Sequence, residues 1–187
     1  MRASLLFSFL LAASDLVAQS VTIFSSGQEA RRCMSAAEIA ANMSVATRDD
    51  LKDCDFAIEN GTLSQKDLAA TYCNRGVIKS ALELYQEAFE DYGTAIEIMP
   101  ELPEPYVGRG NVYFLANQLD RAIQDYDRAI DLNLGRLQVA LLNRGMAYEA
   151  QGRLEQAEND YRRALELAPG WSRVQEKLDR VLAKRGR

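Results

Sequence analysis

The side chains best equipped for chemistry in this 187-residue chain are three cysteines, Cys33, Cys54 and Cys73, and two columns of opposite charge. The columns are Arg75, Arg109 and Arg144 on one side and Asp91, Asp125 and Asp160 on the other. There is no histidine, which removes the commonest general base, the Ser–His and Cys–His nucleophile arrangements and the commonest metal ligand. The cysteines form no CxxC element, so neither a zinc site nor a thioredoxin-like redox site is expected. Aspartates and glutamates are abundant, but they fall on solvated helix faces with no sequence sign of a perturbed pair. The chain is therefore expected not to be an enzyme and to need no metal or cofactor. A stripe of arginines could bind phosphate. Because each arginine recurs with an aspartate, however, the two columns read as partners within or between repeats. With a formal net charge of −5 and no basic stripe, nucleic acid is not an expected partner.

The elements that must position these groups recur along the chain. Gly76, Gly110 and Gly145 are spaced by 34 and 35 residues, and so are Ala88, Ala122 and Ala157, Tyr92, Tyr126 and Tyr161, and Ala95, Ala129 and Ala164. Each glycine follows a column arginine and each tyrosine a column aspartate. Six columns in one register define a repeat. In the middle copy, Tyr106, Gly110, Tyr113 and Phe114 form one stripe, and Leu119, Ala122, Ile123, Tyr126, Ala129 and Ile130 a second. Offsets of three and four mean two amphipathic helices, not strands. Pro103 and Pro105 suit the start of the first helix, where a missing N–H costs nothing. Asn117 and Gly152 fall between paired helices, where a left-handed residue closes the turn. A glycine inside a helix costs ~1 kcal/mol against alanine, so three in register imply a compensating close approach, with the tyrosines filling the space beside them.

This pattern resembles the tetratricopeptide repeat: Gly110, Tyr113, Ala122, Tyr126 and Ala129 in the middle copy, Gly145, Tyr148, Ala157, Tyr161, Ala164 and Pro169 in the third. The first keeps Gly76, Ala88, Tyr92, Ala95 and Pro100 but carries Lys79 in the aromatic column and Glu83 at the turn. Leu134 replaces the usual proline of the middle copy, and arginine stands in all three where leucine is common. The resemblance implies an all-α, right-handed α-solenoid of antiparallel helix pairs, with repeats at 69–102, 103–137 and 138–171. Residues 172–187 form a capping helix that presents Val174, Leu178 and Val181 to the last repeat. Upstream, residues 49–60 align with a second helix, putting Cys54 in the aromatic column and Ala57 in the last alanine column, and residues 35–46 supply a worn first helix. Thr62 or Ser64 can cap the helix that follows.

Residues 1–20 read as a signal peptide: Arg2, an apolar run at 5–13, and small residues allowing cleavage after Ala18 or Ser20. Nine apolar residues fall far short of the ~20 that span a bilayer, so no stable membrane insertion is expected after cleavage. A cysteine pair ahead of NRG-type repeats, behind a signal, looks like a group of exported bacterial repeat proteins. That likeness implies a periplasmic or secreted location. Cys33–Cys54 is the favoured disulfide within the irregular segment 21–68, worth ~3 kcal/mol in the chain-entropy model. Cys54–Cys73 pairing and an intermolecular bridge are the alternatives, and Cys73 otherwise stays a buried thiol. Asn42-Met43-Ser44 and Asn60-Gly61-Thr62 match the glycosylation sequon but are incidental in such a compartment.

The resemblance further implies that first helices line a concave face. Its lining would be Cys73, Asn74, Val77, Val107, Asn111, Phe114, Val139, Leu142, Asn143 and Met146. That is an apolar groove with amides able to bond an extended peptide's backbone. The positions that grip a terminal carboxylate in related domains hold Cys73, Val77, Gly108, Val139 and Asn143, so no carboxylate clamp is expected. The expected function is a protein-interaction module of the cell envelope binding a peptide in this groove. The alternative is a self-associating structural spacer, a homo-oligomer.

Overall fold

The computed structural model describes residues 27–186; residues 1–20, read above as a signal, lie outside them. The described chain is a succession of α-helices. These are α1 (Gln28–Met43), α2 (Lys52–Asn60), α3 (Gln65–Ala81), α4 (Tyr85–Ile98), α5 (Glu104–Leu115), α6 (Leu119–Asp131), α7 (Leu137–Ala150), α8 (Leu154–Leu167) and α9 (Ser172–Arg185). A short 3₁₀ turn, Arg48–Leu51, leads into α2. Helices pair as α3/α4, α5/α6 and α7/α8, and each pair packs on the next, giving the expected solenoid.

Local sequence sets the boundaries. Ser64 is the cap of α3, its Oγ accepting from the Asp67 N–H at 3.1 Å. Pro103 stands at the N-cap of α5 and Pro105 in its first turn. Asn117 (φ +57°) and Gly152 (φ +75°) close two inter-helix turns in the left-handed conformation, and Glu83 (φ +61°) closes the first. The worn first helix begins earlier than the sequence stripe suggested, at Gln28 instead of residue 35. Ala30 and Cys33 join Ala37, Ala40 and Ala41 on its buried face, so the apolar stripe starts a turn and a half sooner. Ser44, left-handed at φ +51°, stops it.

Packing follows the columns. Tyr92, Tyr126 and Tyr161 are fully buried. A Cβ added at Gly76, Gly110 or Gly145 would stand 2.7 Å from the ring of its partner tyrosine, closer than any real contact, so the glycines are there for the rings. Tyr92 is held on a second side by Gly108 of the next repeat, where an added Cβ would come within 2.4 Å. At the far end Val174, Leu178 and Val181 of α9 are buried on the last repeat. At the near end Cys33 on α1 and Cys54 on α2 are bonded, with Cα atoms 4.8 Å apart. Cys73 is a buried free thiol.

Candidate peptide-binding face

The charge columns resolve into clamps that hold each helix pair together. Arg75 donates to both carboxylate oxygens of Asp91, at 2.9 and 2.7 Å. Arg109 does the same to Asp125 and Arg144 to Asp160. Two of the arginines also reach back to the preceding pair: Arg75 to Asp55 at 2.7 Å and Arg144 to Asp127 at 2.6 Å. Burial works against the Arg75 and Arg144 charges, but these carboxylates outweigh it and raise both guanidinium pKa values. Lys79, in the aromatic column of the first repeat, turns its ammonium to Asp91 at 2.9 Å. Tyr113 and Tyr148 occupy that column in the later repeats, where Tyr113 meets Phe89 edge-on and Tyr148 lies under Arg153. All four cations are thus committed inside the scaffold.

The first helices α3, α5 and α7 carry the eight residues assigned to a groove. Asn74, Val77, Val107, Asn111, Leu142, Asn143 and Met146 are buried, and Phe114 is half-buried. Asn111 and Asn143 come together. Asn143 Nδ2 donates to Asn111 Oδ1 at 2.9 Å, and the Tyr126 hydroxyl donates to the same oxygen at 2.9 Å. These residues therefore pack the seams between first helices, and what a partner can read there is limited to groups that packing leaves unbonded.

Two such groups stand out. Asn143 Oδ1 and Glu104 Oε2 are buried and have no hydrogen-bond partner among the described residues. An orphaned buried acceptor forfeits about 1–3 kcal/mol, so each asks for a reason. Burial pushes the Glu104 carboxyl above its usual range. Burial also raises the Cys73 thiol well above the normal range, helped by the nearby Glu104 and Asp91 charges, which leaves it a poor nucleophile. Glu104 was not among the residues picked from sequence, although it stands at the second position of its repeat, one the family turns inward. The clamp positions Cys73, Val77 and Val139 are buried and apolar, and Gly108 is filled by Tyr92. None offers a cation to a carboxylate.

Among the described residues no three His, Cys, Asp or Glu side chains gather as metal ligands, and no described helix is long and apolar enough to cross a membrane. Tetratricopeptide-repeat family profiles match residues 64–96, 103–133 and 139–170, together about half of the chain and all three helix pairs. The chain belongs to the tetratricopeptide-repeat family. It is 32% identical over 63 residues to the mouse (Mus musculus) DnaJ homolog subfamily C member 7, a match spanning 34% of this chain and only 13% of that protein. Among solved structures it resembles the first TPR of Spaghetti (RPAP3) bound to the HSP90 peptide SRMEEVD. That match has 27% identity, a TM-score of 0.61, and covers 64% of this chain and 94% of that one. MamA shares the fold at 22% identity and TM-score 0.61, covering 76% and 86% of the two chains.

Proposed function

We propose that this tetratricopeptide-repeat chain is a protein-interaction module of the cell envelope that takes a peptide segment on the face built by α3, α5 and α7. The observation that carries the reading is the first-helix face itself, whose inward residues are apolar apart from Asn74, Glu104, Asn111 and Asn143. An extended peptide brings apolar side chains and main-chain N–H groups to such a face. The peptide-bound RPAP3 domain supports it by likeness. An export signal at residues 1–20, cleaved after Ala18 or Ser20, and the Cys33–Cys54 bond support a periplasmic or secreted location. Panning a random peptide library on the immobilised chain, then crosslinking the enriched peptide from a photoreactive residue at position 114, tests the reading. An adduct linking the peptide to residue 114 is expected. No enriched peptide, or one that binds without crosslinking there, sinks it.

One observation favours a second reading, self-association. Ile39, Met43, Val45 and Phe56 are each more than half exposed in the N-terminal segment, apolar surface against which another copy could stack. Sedimentation decides it: a monomer at high concentration removes this option, and a dimer lost on Phe56→Asp establishes it.

A further inference from the structure

The two ends of the array are fastened by different means. At the C-terminal end α9 buries Val174, Leu178 and Val181. At the N-terminal end α1, 16 residues long, buries Ala30, Cys33, Ala37, Ala40 and Ala41, nothing larger than a cysteine. Of its larger apolar side chains, Ile39 and Met43 are 53% and 68% exposed and Met34 is half-buried. Stabilisation by burial scales with the area removed from water, and alanines remove little. Ordering the helix meanwhile costs conformational entropy at every residue, and a helix of this length is marginal by itself. The ion pair between Arg32 on α1 and Asp53 on α2 spans 3.8 Å with both partners about half exposed, and such pairs add little. Against these small terms stands one covalent bond, Cys33–Cys54. Its other anchor, α2, is held to the array independently: Cys54 and Ala57 are buried, and Asp55 accepts from Arg75 at 2.7 Å.

We propose that α1 is a latch set by oxidation: it docks on α3 only when Cys33 and Cys54 are joined, while the three repeats and α9 fold without it. In the reduced chain α1 is undocked, and both thiols are open to an external disulfide. One thiolate attacks that disulfide, forming a mixed disulfide and expelling one of its sulfurs; the second thiolate displaces the other sulfur and closes the Cys33–Cys54 bond. Two electrons pass to the external disulfide, which leaves as two thiols carrying the two protons. Tethered to α2, α1 settles on α3, where Cys33, Ala37, Ala40 and Ala41 share one apolar cluster with Ala69, Ala70, Cys73 and Val77. Both bonded cysteines are then fully buried, so the closed latch shields its own bond from reductants. Oxidation thereby decides whether this side of α3 is covered or open.

Hydrogen–deuterium exchange read by mass spectrometry tests this on the purified chain, once oxidised and once refolded in dithiothreitol. Amides of residues 28–43 are expected to exchange about a hundredfold faster in the reduced chain, while those of α3 to α9 keep their protection. Cys33→Ala/Cys54→Ala, which lacks the bond under all conditions, should match the reduced chain. Equal protection of α1 in both redox states shows that packing suffices and overturns the latch. Loss of protection from Gln65 to Arg185 along with α1 overturns it too, because the bond would then be supporting the whole array.

Discussion

Glu149 on α7 accepts both guanidinium hydrogen bonds of Arg180 on α9, at 2.8 and 2.9 Å. Lys184 adds a third at 2.8 Å and the Tyr161 hydroxyl a fourth at 3.1 Å. One carboxylate thereby fastens the capping helix to the last repeat. Burial alone would raise its pKa; Arg180 and Lys184 outweigh that and hold it down at about 2, against an ordinary 4.5. A carboxyl depressed by folding stabilises fully above its unfolded pKa and loses that contribution as pH falls through the folded one. Stability should therefore decline from about pH 4.5 towards pH 2. Glu149→Gln should cost about 1–2 kcal/mol at pH 7, discounted for half-exposed cations, and flatten that acid limb. Urea denaturation across the pH range checks both.

Gly93 follows Tyr92 as Asp127 follows Tyr126 and Asp55 follows Cys54. Asp55 and Asp127 each receive an arginine from the next repeat, whereas Arg109 has only its own Asp125. Nothing lies within 4 Å of a Cβ placed on Gly93. Gly93→Asp should supply the missing cross-repeat bond and raise stability by about 0.5–1 kcal/mol, part of it from restricting the unfolded chain. A lower melting temperature would show that the two seams differ in more than this residue.

Gly110→Ala gains helix propensity yet drives a Cβ to 2.7 Å from the Tyr126 ring, which is fully buried. The overpacking should win, with a net loss of about 1–2 kcal/mol. Gly93→Ala is the control, gaining up to ~1 kcal/mol from the same chemical change made in open space. Equal effects would remove the tyrosine from the explanation.

Glu83 holds φ +61° at a turn that the later repeats close with Asn117 and Gly152. A left-handed residue with a Cβ costs roughly 1–2 kcal/mol, less for asparagine and least for glycine. Glu83→Asn and Glu83→Gly should both stabilise the chain, by about 0.5–1 kcal/mol. Thermal melts of the two variants test this.

In the folded, oxidised protein none of the three cysteines should react with a thiol reagent: Cys73 is buried and Cys33 is bonded to Cys54. Denaturation without reductant should expose a single reactive thiol, mapped to Cys73. A Cys54–Cys73 linkage in the peptide map would overturn this pairing.

The helix pairs were legible because their signals are local and repeat: Gly–Tyr spacing, Arg–Asp columns, turn residues at Asn117 and Gly152. So was the capping helix, from Val174, Leu178 and Val181. The start of α1 was not, since its stripe is built of alanines and Cys33, weakly apolar residues that count only once packed. The site was legible in part. Family positions picked out Asn111 and Asn143, but not that the pair would bond to one another and leave Asn143 Oδ1 alone. Whether a polar atom is orphaned depends on its neighbours in space. For the same reason Glu104 passed as one acidic residue among many.

Tyr92 and Gly108 make one seam of the array, Asn111 and Asn143 the other, and the two are not interchangeable. Asparagine at 108 would run into the Tyr92 ring; glycine at 143 would strip Asn111 of the amide that bonds it across the seam. A copy of the middle repeat inserted after itself would meet its neighbours through the wrong side chains. The order of the three units is therefore written into their edges.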